Sequence, residues 1–243
     1  MLHLQHNVVS ILCTIKGMIE CHGMKTKENL FRTREEALKH ARSVMKRIYH
    51  QADRALLITK HISVAMKAEP DSDDCGSEVS VKDVWREVVD TFKRRYSFES
   101  LEVLDHVSAE YPPIRCSHND LMEIFYILVE NAVQAMNQKG KLIIRANLQF
   151  SKEDYPLAVI TVSDTGPGIP EDILSRLFEP FFTTKSLEEG SGLGLCLVKN
   201  LAKRNGGSVT ASSFKGCGTT FTLSFSVARL GRMEKQSPLA YAA

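Results

Sequence analysis

Two features are missing that would place this chain in a membrane or outside the cell. No apolar run approaches the roughly 20 residues of a membrane-spanning helix, and no signal-peptide pattern opens the chain. The six cysteines form no CxxC pair and no metal-ligand spacing, so we expect reduced thiols with structural roles. Internal repeats and low-complexity tracts are absent as well. These absences predict a cytoplasmic location.

The composition is that of an ordinary globular protein, but the charge is unevenly distributed. The 243 residues are 43% hydrophobic and 25% charged, and the length allows one or two domains. The net charge is +2, yet residues 1–68 hold twelve Lys or Arg against five Asp or Glu. Neither a pattern of interleaved aromatic residues nor a binding motif supports a nucleic-acid partner. We therefore expect no nucleic-acid partner, and either a solvated face or a docking surface for an acidic protein.

Residues 164–194 carry the most informative pattern in the chain. It consists of Asp164-Thr-Gly-Pro-Gly-Ile-Pro170, Leu177-Phe-Glu-Pro-Phe-Phe-Thr-Thr-Lys185 and Gly190-Ser-Gly-Leu-Gly-Leu195. Glycine allows positive φ and lets a phosphate approach main-chain N–H groups that no Cβ shields. Gly190, Gly192 and Gly194 precede an apolar helix-forming stretch, so they predict a phosphate cradle at a helix N-terminus. An acidic anchor, an aromatic latch and a glycine run together predict a nucleotide pocket with a lid.

Hydrophobic periodicity predicts an α+β domain around these motifs. Helices are expected over 82–96, 118–136 and 192–204, with Asn205-Gly206-Gly207 as the C-terminal cap of the last. Strands are expected over 101–107, 141–150, 158–163, 208–213 and 219–226, after a strand edge near Val79. The arrangement predicts a mixed sheet with helices on one face, an α/β sandwich.

Residues 1–68 have a different, helical architecture. Apolar or small residues recur at steps of three and four from Leu38 to Met66, which predicts a long helix in a bundle or coiled coil. A shorter helix before it places Val8, Leu12, Ile15 and Ile19 on one stripe. Two narrow stripes bury little apolar surface by themselves. We therefore expect an antiparallel hairpin that pairs with a second copy into a four-helix bundle, a homodimer.

These patterns divide the chain into four segments. The helical hairpin takes residues 1–68, and a polar stretch with Pro and Gly over 69–78 is the expected linker. The nucleotide-binding domain takes residues 79–229. Residues 230–243 are expected to form a disordered tail.

Residues 118–226 resemble the ATP-binding module of the sensor histidine kinases. That module belongs to the larger Bergerat (GHKL) family, which includes DNA gyrase, heat-shock chaperones and mismatch-repair ATPases. The resemblance includes an Asn helix from Asp120 to Met136 and a terminal strand motif, Gly216-Cys-Gly-Thr-Thr-Phe221. With the hairpin it covers nearly the whole chain and implies a histidine kinase core. Within that family, the segment Phe-Phe-Thr-Thr-Lys with a short lid is similar to the branch of kinases that serves nitrogen-regulation signalling.

The resemblance implies a role for each matched residue. The Asp164 carboxylate accepts a hydrogen bond from the adenine amine, and Asn131 offers a neutral oxygen to Mg²⁺. The remaining nucleotide-binding positions are Gly166, Gly168, Phe178, Lys185, Gly190, Gly192, Leu193, Gly194 and Thr219. Phe178, Phe181 and Phe182 anchor the segment 183–191. The alternative interpretations are that these phenylalanines are ordinary core residues and that Lys185 is a solvated surface lysine.

The phosphoacceptor in that family is a histidine about eleven residues before a glycine on the first hairpin helix. His6 matches this frame through Gly17, and His3 is the fallback. The family has an acidic residue next to the histidine, where this chain has Asn7; Ser10 stands where Asn or Thr is usual, and Ile11 where Pro is. A carboxamide accepts a hydrogen bond but takes no proton, so we expect slow autophosphorylation.

The leading hypothesis is an ATP- and Mg²⁺-dependent histidine kinase that autophosphorylates His6 and passes the phosphoryl group to a response regulator. A catalytically weak nucleotide-binding scaffold or phosphatase is the second hypothesis. A gyrase- or chaperone-like ATPase is the third. Ile127 stands where gyrase-like ATPases place a catalytic Glu, one turn before Asn131, so a hydrolytic water lacks a base there.

Overall fold

The computed structural model describes residues 13–21, 23, 33–66, 77–95, 100–150, 155–185 and 192–228. It divides into two compact units. The first unit comprises Met1–Ala68 with Arg176–Leu197, and the second comprises Glu69–Ser175 with Val198–Ala243. Several predicted features lie outside the described residues, namely His3, His6, Asn7, Ser10, Gly190, most of the linker and the tail from 230.

The second unit contains seven strands and three complete helices in the ranges described. Its elements are β1 (Glu78–Val79), α3 (Val81–Arg95), β2 (Leu101–His106), β3 (Ile114–Arg115), α4 (His118–Ala135), β4 (Gly140–Phe150), β5 (Pro156–Asp164), α5 (Glu171–Leu174), β6 (Ser208–Phe214) and β7 (Gly218–Ser226). A further helix, α6 (Gly194–Arg204), starts in the sequence of the first unit and ends in that of the second. The predicted helices and strands are confirmed, with ends that differ by one or two residues. β3 and α5 were not predicted, because two and four residues are too short to show a period.

The sheet is mixed, as predicted. Five strands lie in the order β2-β4-β5-β7-β6, with β2 parallel to β4 and every other pair antiparallel. β1 and β3 form a separate antiparallel pair. β5 is therefore the central strand, and its last residue is Asp164.

Helices α3 and α4 build the core beside this sheet. Trp85 of α3 and Phe125 of α4 are both buried and meet edge to face, with ring centroids 5.5 Å apart. α4 in turn packs on β4 and β5. Ser117 caps α4, since its Oγ accepts a hydrogen bond from the Asp120 N–H at 3.4 Å. This packing fixes α4, which carries Asn131, against the strand that ends in Asp164.

The first unit contains helical residues 13–21, here α1, and a 33-residue helix, α2 (Arg34–Met66). Thr33 caps the N-terminus of α2, because its Oγ1 accepts a hydrogen bond from the Glu36 N–H at 3.1 Å. The predicted helix from Leu38 to Met66 is confirmed. Two residues of its apolar stripe are exposed in the single chain, Leu38 by 51% and Met45 by 66%. Within the described ranges, none of the helices has both the length and the apolar character needed to cross a membrane.

Candidate nucleotide-binding site

Asp164 is a buried carboxylate at the end of the central strand. Its Oδ1 accepts from the Gly166 N–H at 2.8 Å and from the Thr219 N–H at 3.3 Å. Burial raises the pKa of the Asp164 carboxyl above its ordinary value, and these two hydrogen bonds offset only part of that rise. A carboxylate offers about four lone-pair sites, and the two N–H groups leave the others for a further donor. The side chain is therefore suited to bind a ligand amine.

The two glycines after Asp164 are required by close packing. A Cβ on Gly166 would lie 2.8 Å from Asp164 Oδ1, and also near Met136 and Ala135 of the helix α4 region. Gly168 has φ +72°, and a Cβ there would overlap the Phe214 carbonyl. The Gly216 N–H also donates to the Pro167 carbonyl at 2.7 Å. The loop after Asp164 is thus fixed against the β6–β7 turn.

Ser213 joins this loop to both strands, and sequence analysis missed it. Its buried hydroxyl donates to the Gly218 carbonyl at 2.7 Å, accepts from the Ile169 N–H at 2.8 Å and lies 3.0 Å from Thr219 Oγ1. The available signal was alternation along β6, where Val209 and Ser213 are both buried. A serine at an inward-facing strand position needs polar partners, which made it a candidate.

Asn131 lies on α4 and is half-buried. One turn earlier on the same helix, Ile127 is only 6% exposed and belongs to the core. The position at which gyrase-like ATPases carry a base is thus occupied by a core side chain. Over the described residues, no group of three or more His, Cys, Asp or Glu side chains is placed to hold a metal ion.

A second set of predicted site residues belongs to the first unit. Gly192 has φ +66°, and a Cβ on it would overlap the backbone of Phe181, which also has positive φ at 65°. Arg176 stacks on the Phe182 ring at 4.5 Å, and the Lys185 N–H donates to Thr183 Oγ1 at 3.1 Å. These contacts fix the conformation of residues 176–185 and their packing against Gly192.

The aromatic residues of this segment differ in burial. Phe178 and Phe182 are half-buried, whereas Phe181 is 37% exposed. Leu193 is buried, and its carbonyl accepts the first helical hydrogen bond of α6, from the Leu197 N–H at 2.9 Å. Gly194 is the first residue of that helix, two residues later than predicted.

The C-terminus of α6 is joined to the N-terminus of α4. Asn205 Oδ1 accepts from the Ser117 N–H at 2.7 Å, and Asn205 Nδ2 donates to Asp120 Oδ2 at 2.7 Å. Gly206 has φ +68°, and the Gly207 N–H donates to the Ala202 carbonyl at 2.9 Å. The predicted glycine cap is therefore confirmed as a Schellman-type end.

Comparison with known proteins agrees with this geometry. Residues 116–229 match the family model described as histidine kinase-, DNA gyrase B-, and HSP90-like ATPase. Sporulation kinase E of Bacillus subtilis is 30% identical over 150 residues, which cover 62% of this chain and 20% of the relative. The sensory histidine kinase/phosphatase NtrB of Rhizobium meliloti is 30% identical over 150 residues, covering 57% of this chain and 38% of the relative.

A solved structure has a similar fold. The full-length ShkA structure in complex with AMPPNP aligns with a TM-score of 0.63 at 22% identity, covering 94% of this chain and 46% of that chain. The matched regions are thus less than half of each of these three proteins.

Proposed function

We propose that the chain is the core of an ATP-dependent protein-histidine kinase. The proposal is supported by the match of residues 116–229 to the family model described as histidine kinase-, DNA gyrase B-, and HSP90-like ATPase. Such a core binds ATP, phosphorylates a histidine and passes the phosphoryl group to a response regulator. In this proposal the hairpin takes residues 1–68 and the ATP-binding domain takes residues 79–229, joined by a linker over 69–78.

The observation that carries the proposal is the Asp164 carboxylate. It is buried at the end of the central strand, and two main-chain N–H groups fix its orientation through Oδ1. Its remaining acceptor capacity matches the exocyclic amine of adenine. A guanine base would present an oxygen in the same place and would be repelled, which favours ATP over GTP.

Asn131 fits the role of a magnesium ligand. Mg²⁺ usually keeps several waters and binds the phosphates of its substrate, so one neutral protein oxygen is a suitable contribution. Bound there, the ion would neutralise charge on the phosphate tail. Lys185, Gly192 and Gly194, with Gly190, would contact the phosphates, and Phe178 would anchor the lid.

The phosphoacceptor in this proposal is His6. One imidazole nitrogen forms a bond to the γ-phosphorus of ATP as the bond to the ADP oxygen breaks, and the imidazole N–H proton is released to solvent. Asn7 would accept a hydrogen bond from the ring, and Ser10 would lie one helical turn away. Because Asn7 takes no proton, the transfer should be slow.

The exposed stripe of α2 supports a homodimer through the helical hairpin. Leu38 and Met45 lie one heptad apart on that stripe, and both are exposed in the single chain. Burying them against a second copy would form the four-helix bundle. The basic character of residues 1–68 would suit the acidic face of a response regulator.

Incubation with γ-labelled ATP and Mg²⁺ tests the proposal. We expect a label on the protein that acid removes and alkali does not, lost in His6→Gln and kept in His3→Gln. A label that persists in His6→Gln would contradict the choice of acceptor. A folded protein that takes up no adenine nucleotide at millimolar concentration would end the whole proposal.

A catalytically weak scaffold or phosphatase is the second candidate, favoured by Asn7. ATP binding without any label on the protein would support it. The third, a gyrase-like ATPase, is disfavoured because Ile127 is buried in the core where a base is needed. Steady phosphate release that does not depend on His6 would support that third function.

A further inference from the structure

Asp164, Thr219 and Ser213 form one row across three neighbouring strands. Asp164 of β5 is directly opposite Thr219 of β7, and Thr219 is directly opposite Ser213 of β6. Residues directly opposite one another in antiparallel strands place their side chains on the same face, with Cβ atoms about 5 Å apart. All three side chains are buried. The direction of each hydrogen bond in this row therefore limits the direction of its neighbours.

The single proton of the Ser213 hydroxyl has a fixed destination. A serine hydroxyl donates one hydrogen bond and accepts two. Ser213 donates to the Gly218 carbonyl at 2.7 Å. If it turned this proton toward Thr219, the carbonyl of the buried Gly218 would lose this hydrogen bond, which is costly.

Ser213 must therefore accept both of its other hydrogen bonds. One comes from the Ile169 N–H at 2.8 Å. The other partner is Thr219 Oγ1 at 3.0 Å, so the Thr219 hydroxyl is the donor in that contact. Once its proton is used in this way, Thr219 Oγ1 offers only lone pairs to anything else that approaches it.

We propose that Ser213 is a specificity-determining positioning residue for the nucleobase. Ser213 accepts the hydrogen bond that the Thr219 hydroxyl donates. Asp164 and Thr219 therefore present two neighbouring acceptors to the base. Such an edge binds a purine that presents an amine and rejects one that presents an oxygen. Ser213 does not touch the base in this scheme. The inference rests on the proposed ATP-binding function and deepens it.

The test compares ATP with inosine triphosphate, whose base carries an oxygen in place of the amine. Calorimetry with Mg²⁺ would measure both affinities for the wild type, Ser213→Ala, Thr219→Val and the double variant. Ser213→Ala frees the Thr219 hydroxyl to donate to the base oxygen, so the preference for ATP should fall about fivefold to tenfold. In the Thr219→Val background, Ser213→Ala should leave the preference unchanged.

Ser208→Ala is the matched control. Its hydroxyl lies on the same strand and bonds across the same strand pair, to Ser224 Oγ at 2.8 Å, but at an exposed position. It should keep the wild-type preference. Ser213→Cys is the substitute if Ser213→Ala does not fold. It preserves most of the side-chain volume, but its sulfur is a weaker acceptor for the Thr219 hydroxyl, so it should also lower the preference.

Three results would overturn the inference. The first is that Ser213→Ala and Ser213→Cys weaken the binding of both nucleotides equally. The second is that the fall in preference persists without the Thr219 hydroxyl, and the third is that Ser208→Ala shows the same fall. Each of these leaves ATP binding by the wild type intact. Failure of the proposed function is different, because a folded wild type would then bind neither nucleotide, and the inference would fall with it.

Discussion

Arg204 and Asp120 form a two-point ion pair between the last turn of α6 and the first turn of α4. Arg204 Nε donates to Asp120 Oδ2 at 3.0 Å, and the guanidinium also contacts Oδ1. Only 17% of the arginine side chain and 8% of the aspartate side chain are exposed. The acid lies at a helix N-terminus and the base at a helix C-terminus, so both helix dipoles favour the pair. It joins two elements that the site depends on.

Removing Arg204 should destabilise the second unit strongly. Arg204→Ala leaves Asp120 buried without its cation, and we expect a loss of about 3–5 kcal/mol in the free energy of unfolding. Urea unfolding would measure it. Lys141→Ala is the control, because its 2.9 Å pair with Glu102 is about half exposed on both sides and should be worth less than about 1 kcal/mol. Equal losses in the two variants would contradict the prediction.

Gly218→Ala should damage the nucleotide site more than Gly216→Ala. Both glycines have positive φ, +90° and +84°, so both substitutions introduce backbone strain of about 1–2 kcal/mol. A Cβ on Gly218 would also overlap the Asp164 carbonyl oxygen, whereas one on Gly216 meets nothing within 4 Å. We expect ATP affinity to fall at least about tenfold in Gly218→Ala only, because the displaced Asp164 would lose its proposed hydrogen bond to the adenine amine. Calorimetry showing the same affinity in both variants would refute this.

The raised pKa of Asp164 predicts a pH dependence of stability. Burial raises this pKa in the folded protein, so the folded state binds more protons at this site than the unfolded chain. The stabilisation from this proton is present below the ordinary aspartate value of about 3.9 and is lost as pH rises through the folded value. Asp164→Asn does not titrate there. Relative to that variant, the wild type should gain stability on acidification from about pH 7 to about pH 4. A difference that stays flat with pH would count against the burial effect.

Charges on the α2 stripe should separate the proposed homodimer. Leu38→Asp and Met45→Asp place a carboxylate where the proposal buries an apolar side chain, and each should lower the mass in light scattering from twice 27.2 kDa toward 27.2 kDa. Ser43→Asp is the control, since Ser43 is exposed and lies off the stripe. Dissociation by the control as well, or a wild type that is already monomeric, would exclude this interface.

Much of the fold could be predicted because its signals are local. Alternation along β4 to β7 and the apolar spacing of α2, α3 and α4 come from neighbouring residues, and burial on one face follows from them. Asp164, with the glycines after it, could be recognised from a contiguous motif. The glycine cap of α6 needed only the three residues from Asn205 to Gly207.

The relationships inside the site could not be predicted in this way. Gly168 is required by the Phe214 carbonyl, and Asp120 is paired with an arginine 84 residues away. Ser213 acquired its role from the order and register of β5, β7 and β6. A period or a motif can single out such a residue, but it does not show which distant residue it contacts.

The sequence alone determined the longer helices and strands and the motif that contains Asp164, because propensity and periodicity act over a few residues. Only the tertiary structure decided which side chains stand opposite one another across the sheet. That choice depends on strand order and register, through which the Ser213 proton, Thr219 and Asp164 become a single hydrogen-bonded row.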